Sequence, residues 1–132
     1  MHATHTDDIA DLFKQAMEQQ AQARFEDALQ SYDAILRSNG NVIGAYYNRG
    51  FVLLSLQRFD DALESFQRAT DLAPDFTEAY VNQGNILKEL NRPNEALARY
   101  VTFQMAEVAV PSQLFGEILR MIDGLRPQPA PA

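Results

Sequence analysis

The chain has 132 residues, enough for one domain, and its 46% hydrophobic and 22% charged residues are ordinary for a globular protein. Eighteen acidic against eleven basic side chains give a formal charge of −7, which argues against nucleic acid, because phosphate binding needs clustered Lys and Arg; a charged partner would be basic. No run of about 18 apolar residues predicts insertion in a membrane, and the absence of cysteine excludes disulfide and thiolate chemistry.

The start, MHATHTDDIADLF, has no basic segment followed by an apolar run, so no secretory signal is read and a cytoplasmic protein is expected. Residues 1–6 are expected to be a disordered tail, and His2 and His5 have no nearby partner that would make a metal site. Thr6 or Asp7 can cap a first helix that runs to about Gln22, with Asp7, Asp8 and Asp11 at the positive end of its dipole.

A second helix begins near Phe25, where Ala28, Leu29, Tyr32, Ile35 and Leu36 recur at spacings of three and four. It should close at Gly40, in the left-handed conformation. Helices three and four are expected over about 42–55 and 59–73, joined by a turn at Leu56, Gln57 and Arg58. Pro74 and Asp75 break the chain, and Asp75 can cap a fifth helix over about 76–90. Pro93 suits the first turn of a sixth helix that reaches about Glu107, since its missing N–H would have no partner there. A seventh helix over 111–123 has Leu114, Phe115, Ile118, Leu119 and Ile122 on one face, of which Leu114, Phe115 and Ile118 are expected to cover Leu97, Val101 and Val108. The last stretch, 125–132, is rich in Pro and Ala and reads as a tail or linker.

The stretch from Ala45 to Phe76 organises the rest. Moving it forward by 34 residues, as from Ala45 to Ala79, lays Tyr80, Asn82, Gly84, Leu87, Ala96 and Tyr100 on Tyr46, Asn48, Gly50, Leu53, Ala62 and Phe66. Moving it back finds Ala16, Phe25, Ala28, Leu29 and Tyr32 under Gly50, Phe59, Ala62, Leu63 and Phe66. Small and large residues therefore repeat at fixed offsets three times.

A period of about 34 residues with aromatic, Gly/Ala, Ala, aromatic and Pro at these offsets resembles the tetratricopeptide repeat family over roughly residues 9–105. The resemblance implies an all-α, right-handed superhelical solenoid of three helix-turn-helix repeats, at about 9–42, 43–76 and 77–110, plus a C-terminal capping helix at 111–123. The domain then spans 7–124. In such arrays the first helix of each pair lines a concave groove. That places Phe13, Lys14 and Met17, then Tyr47, Asn48, Phe51 and Leu54, then Val81, Asn82, Asn85 and Lys88 on the groove side. Leu12, Ala16, Tyr46, Gly50, Leu53, Tyr80, Gly84 and Leu87 fall on the packing side.

This wall is apolar with amides. Asn48 and Asn82 share an offset, and a side-chain amide can donate to a peptide carbonyl while accepting from a peptide N–H. Similar asparagine ladders hold extended peptides in O-linked N-acetylglucosamine transferases; here there are two rungs, with Lys14 at the first repeat's offset. Repeat domains that grip the acidic termini of heat-shock chaperones also resemble this chain, but their basic clamp positions hold Phe13, Met17, Asn48, Glu78 and Asn82, of which Asn48 alone matches. The sequence shows no nucleophile with a base, no glycine-rich phosphate loop, and carboxylate pairs such as Asp60 and Asp61 only where a helix dipole explains them, so neither an enzyme nor a cofactor is expected. The expected function is a protein-protein interaction module, adaptor or chaperone-like, that binds an apolar, neutral-to-basic peptide segment. Two alternatives stay open: a self-assembling homo-oligomeric scaffold whose groove takes a neighbouring copy, and the targeting domain of a larger enzyme.

Overall fold

The computed structural model describes residues 5–124, with side chains from residue 8 onward. The expected tail at 125–132, most of the expected tail at 1–6, and the capping side chains of Thr6 and Asp7 lie outside the described residues. Seven α-helices and no strand make up the described residues: α1 (His5–Ala21), α2 (Phe25–Ser38), α3 (Ile43–Ser55), α4 (Phe59–Leu72), α5 (Glu78–Glu89), α6 (Pro93–Glu107) and α7 (Ser112–Gly124). The chain divides at Pro74 and Asp75 into two compact units, α1–α4 and α5–α7.

In the first unit α1 pairs with α2, α2 with α3, and α3 with α4. The pairing follows from residue size. A Cβ added at Gly50 would stand 2.6 Å from the Phe66 ring, so only glycine lets α3 approach α4 this closely. Ala16 and Tyr32, at the same repeat positions, are both fully buried between α1 and α2. Around these contacts Ile35, Ala45, Val52, Leu53, Ala62 and Ala69 are also fully buried, each large side chain contributing about 1.5–3 kcal/mol of transfer free energy. Arg49 fastens the unit through polar bonds, donating from Nε to Asp33 Oδ1 at 2.7 Å and from a terminal nitrogen to the buried Ser65 Oγ at 2.6 Å.

The second unit repeats the hairpin. A Cβ at Gly84 would stand 2.6 Å from the Tyr100 ring, and Ala79, Ile86 and Leu87 are buried. Helix α7 packs on α6, but it leaves Leu97 42% and Val108 68% exposed, so the expected covering of these residues fails. Leu119 and Ile122 of α7 line one small hollow with Asn94 and Ala98 of α6, beside the row that holds Leu97 and Val108.

The turns inside the three hairpins share a conformation that was not read from the sequence. Ala23, Gln57 and Asn91 stand 34 residues apart in the left-handed region, with φ of 59°, 58° and 58°. The following Arg24, Arg58 and Arg92 each donate a backbone N–H to the carbonyl five residues back, at 2.8 Å, closing each first helix with a Schellman motif. Each of these arginines also reaches an acid three residues on: Arg24 to Asp27, Arg58 to Asp61, and Arg92 to Glu95. Exposed pairs of this kind contribute roughly 0.2–0.5 kcal/mol.

Two expected helix ends are corrected. No described glycine has a positive φ; α2 ends instead at Asn39, which is extended and whose Oδ1 accepts the Asn41 N–H at 2.9 Å. An Asx turn thus replaces the glycine closure. Helix α5 starts at Glu78, after Thr77 rather than Asp75, because residues 76–80 first form tight turns, with the Ala79 and Tyr80 N–H groups bonded to Phe76 and Thr77.

Candidate functional site

Helix α1 presents Ala10, Phe13, Lys14, Met17, Glu18 and Ala21 along one side, at spacings of three and four. They line a shallow depression of about 580 Å³. Met17 is 52% exposed. Phe13 is half-buried: its ring meets Tyr32 edge-on at 5.7 Å, while Gly44 of α3 approaches so closely that a Cβ there would lie 3.2 Å from the ring. The first half of the depression is therefore fixed by the core, and the Met17 end is free to adapt. Lys14 and Glu18 are exposed four residues apart and border it with opposite charges.

Tyr47 and Phe51 of α3 form a second apolar group. Their rings lie 4.9 Å apart at 89°, and both meet the buried Phe66, at 5.5 and 5.2 Å. Edge-to-face pairs of this type are worth about 0.5–1.5 kcal/mol beyond their burial. Tyr47, Phe51 and Leu54 are thus half-buried side chains that also serve the fold, rather than open ones. Asn48 beside them is half-buried and has no side-chain hydrogen bond among the described residues.

In the second unit Val81 and Asn82 are half-buried, whereas Asn85 and Lys88 are exposed. Asn85 Oδ1 accepts the Tyr100 hydroxyl at 2.5 Å, and Asn82 has an interaction of its own within the chain. The two asparagines of the expected ladder are therefore unlike: Asn82 has an interaction within the chain, whereas Asn48 has no side-chain hydrogen bond among the described residues.

The sequence reading named Phe13, Lys14 and Met17 and not Ala10, Glu18 and Ala21, although all six recur at helical spacing on one face of α1. It also missed Arg49, whose partners Asp33 and Ser65 lie sixteen residues away on either side. The depression has the chemistry to hold an apolar side chain between a cation and a carboxylate. Among the described residues no group of three or more His, Asp or Glu could hold a metal, and no helix is long and apolar enough to cross a membrane.

The pattern of the tetratricopeptide repeat matches residues 43–76. No curated protein matches the sequence. Among solved structures, MamA is similar at 19% identity and a TM-score of 0.75 over 76% of this chain, which spans only 59% of MamA. The type III secretion chaperone SycD of Yersinia enterocolitica, in complex with a peptide of the translocator YopD, is similar at 16% identity and a TM-score of 0.74, over 89% of this chain and 93% of that one. The first tetratricopeptide domain of Spaghetti, bound to an HSP90 peptide, gives 20% identity and a TM-score of 0.70 over 88% and 90%. At these identities the likeness concerns the fold.

Proposed function

We propose that this chain, whose residues 43–76 match the tetratricopeptide repeat pattern, is a protein-protein interaction module that binds an apolar, neutral-to-basic peptide segment. The observation that carries this reading is the depression on α1, where Met17 is left 52% exposed beside the anchored Phe13. Apolar surface held open in this way marks interaction sites on globular proteins. Tyr47, Phe51 and Leu54 add apolar contact, and the amide of Asn48 pairs with a peptide group of the ligand. Both SycD and the Spaghetti domain are bound to peptides in their solved structures, which supports the class of ligand. Its chemistry differs from that of the acidic HSP90 peptide, because the net charge of −7 favours a basic or neutral segment.

Neutral hydrogen bonds contribute about 0.5–1.5 kcal/mol each, so a few apolar contacts with one amide give affinity on the order of micromolar. Panning a displayed library of random peptides against the intact chain tests this. The expected result is enrichment of apolar, uncharged or basic segments whose binding weakens at least tenfold in Met17→Glu. Enrichment of acidic peptides, or binding indifferent to Met17→Glu, would refute it.

A further inference from the structure

Helix α6 carries Leu97, Val101 and Gln104 on one row, which the C-cap residue Val108 continues at spacings of four, three and four, with no charged side chain among them. The row is open. Leu97 is 42% exposed, whereas Leu29 and Leu63, at the same position of the two earlier repeats, are 7% and 6% exposed. In the first unit α3 packs on α2, whereas among the described residues α7 approaches α6 on the side of Asn94 and Ala98 and leaves Leu97 and Val108 exposed.

We propose that this row of α6 is the contact between two copies of the chain, packed antiparallel about a two-fold axis. Three observations select a second copy. The row is self-complementary: an antiparallel register that sets Leu97 opposite Val108 of the second copy also sets Val101 opposite Gln104, because the two pairs share a midpoint. An uncharged row lets two chains of charge −7 touch without burying an unpaired carboxylate. Helix α1 does not fit it. Where α3 has the buried Ala45 and Val52, α1 has Asp11 and Glu18, both exposed. A head-to-tail copy would press those acids onto Leu97 and Val108, so the like-to-like, closed arrangement remains.

Sedimentation velocity of the full chain over a concentration series tests this. The parent should form a reversible dimer. Leu97→Lys and Val108→Glu should each be monomeric with unchanged helicity, since both side chains are on the surface. Mixed together they should dimerise again, one end of the contact then holding Lys opposite Glu and the other the untouched apolar pair. A parent that stays monomeric, a dimer unmoved by either substitution, or a mixture that stays monomeric would overturn the proposal. So would a dimer dissolved by Met17→Glu, which would move the contact to α1.

Discussion

Helix α2 buries five side chains and α6, one residue longer, buries one, Ala96, although both are second helices of the same repeated hairpin. Inside the hairpins the two regions agree: Gly50 meets Phe66 as closely as Gly84 meets Tyr100. The difference arises outside them. The pairing of two helices is set by small residues facing aromatic ones, whereas the burial of the outer row depends on what lies beyond it. For α2 that is α3; for α6 it is the edge of α7, which leaves Leu97 and Val108 in water.

Truncation should expose the contrast most strongly. Leu53 is fully buried, so Leu53→Ala should cost about 2–5 kcal/mol in urea unfolding. Met121→Ala, at a residue 64% exposed, should change stability by no more than about 0.5 kcal/mol. Equal costs would show that α7 is as firmly embedded as α3.

Overpacking tests the part the two regions share. Gly84→Leu forces a side chain into the space of the Tyr100 ring and should cost about 1–3 kcal/mol, with Gly50→Leu losing as much against Phe66. A parent-like melting temperature in either variant would mean that the hairpins are not held at these contacts.

Alkali should distinguish the buried phenol. Burial pushes the Tyr32 hydroxyl up to about 12 from its ordinary 10.0, and it donates to Gln20 Oε1 at 2.8 Å. The folded chain therefore resists ionisation that the unfolded chain undergoes. The stability that the neutral phenol supplies is complete below pH 10.0 and is lost as pH rises toward 12. Unfolding midpoints measured on both sides of that window should fall more steeply for the parent than for Tyr32→Phe.

The smallest effect concerns the turns. Ala23 is held at φ 59°, where a Cβ is disfavoured, so Ala23→Gly should stabilise the chain by about 0.5–1 kcal/mol. The same change at Ala10, in the middle of α1, should cost about as much.

Helices α1–α6 were legible because aromatic and small residues recur at a period of 34, and α7 from its apolar face; the closest contacts fell where that period places Gly50 and Gly84. The turn conformation was also encoded, in the series Arg24, Arg58 and Arg92 with an acid three residues on, but it is a polar signal outside the apolar pattern. The face used by α7 was not legible. Leu114, Phe115, Ile118, Leu119, Met121 and Ile122 cover so wide an arc that amphipathicity fixes a helix without fixing its neighbour. On α1 the sequence marks Phe13 and Met17 as neighbours on one face, but not that Phe13 also packs on Tyr32 and Gly44 while Met17 stays exposed. The same holds on α3, where Tyr47 and Phe51 also pack on Phe66.

Chemical-shift mapping of the labelled chain, titrated with a peptide enriched by the library, tests the central claim most directly. The account predicts that the largest shifts cluster at Phe13, Met17, Tyr47, Asn48, Phe51 and Leu54, and that Met17→Glu abolishes them. Shifts confined to α6 and α7, with those residues unmoved, would contradict it.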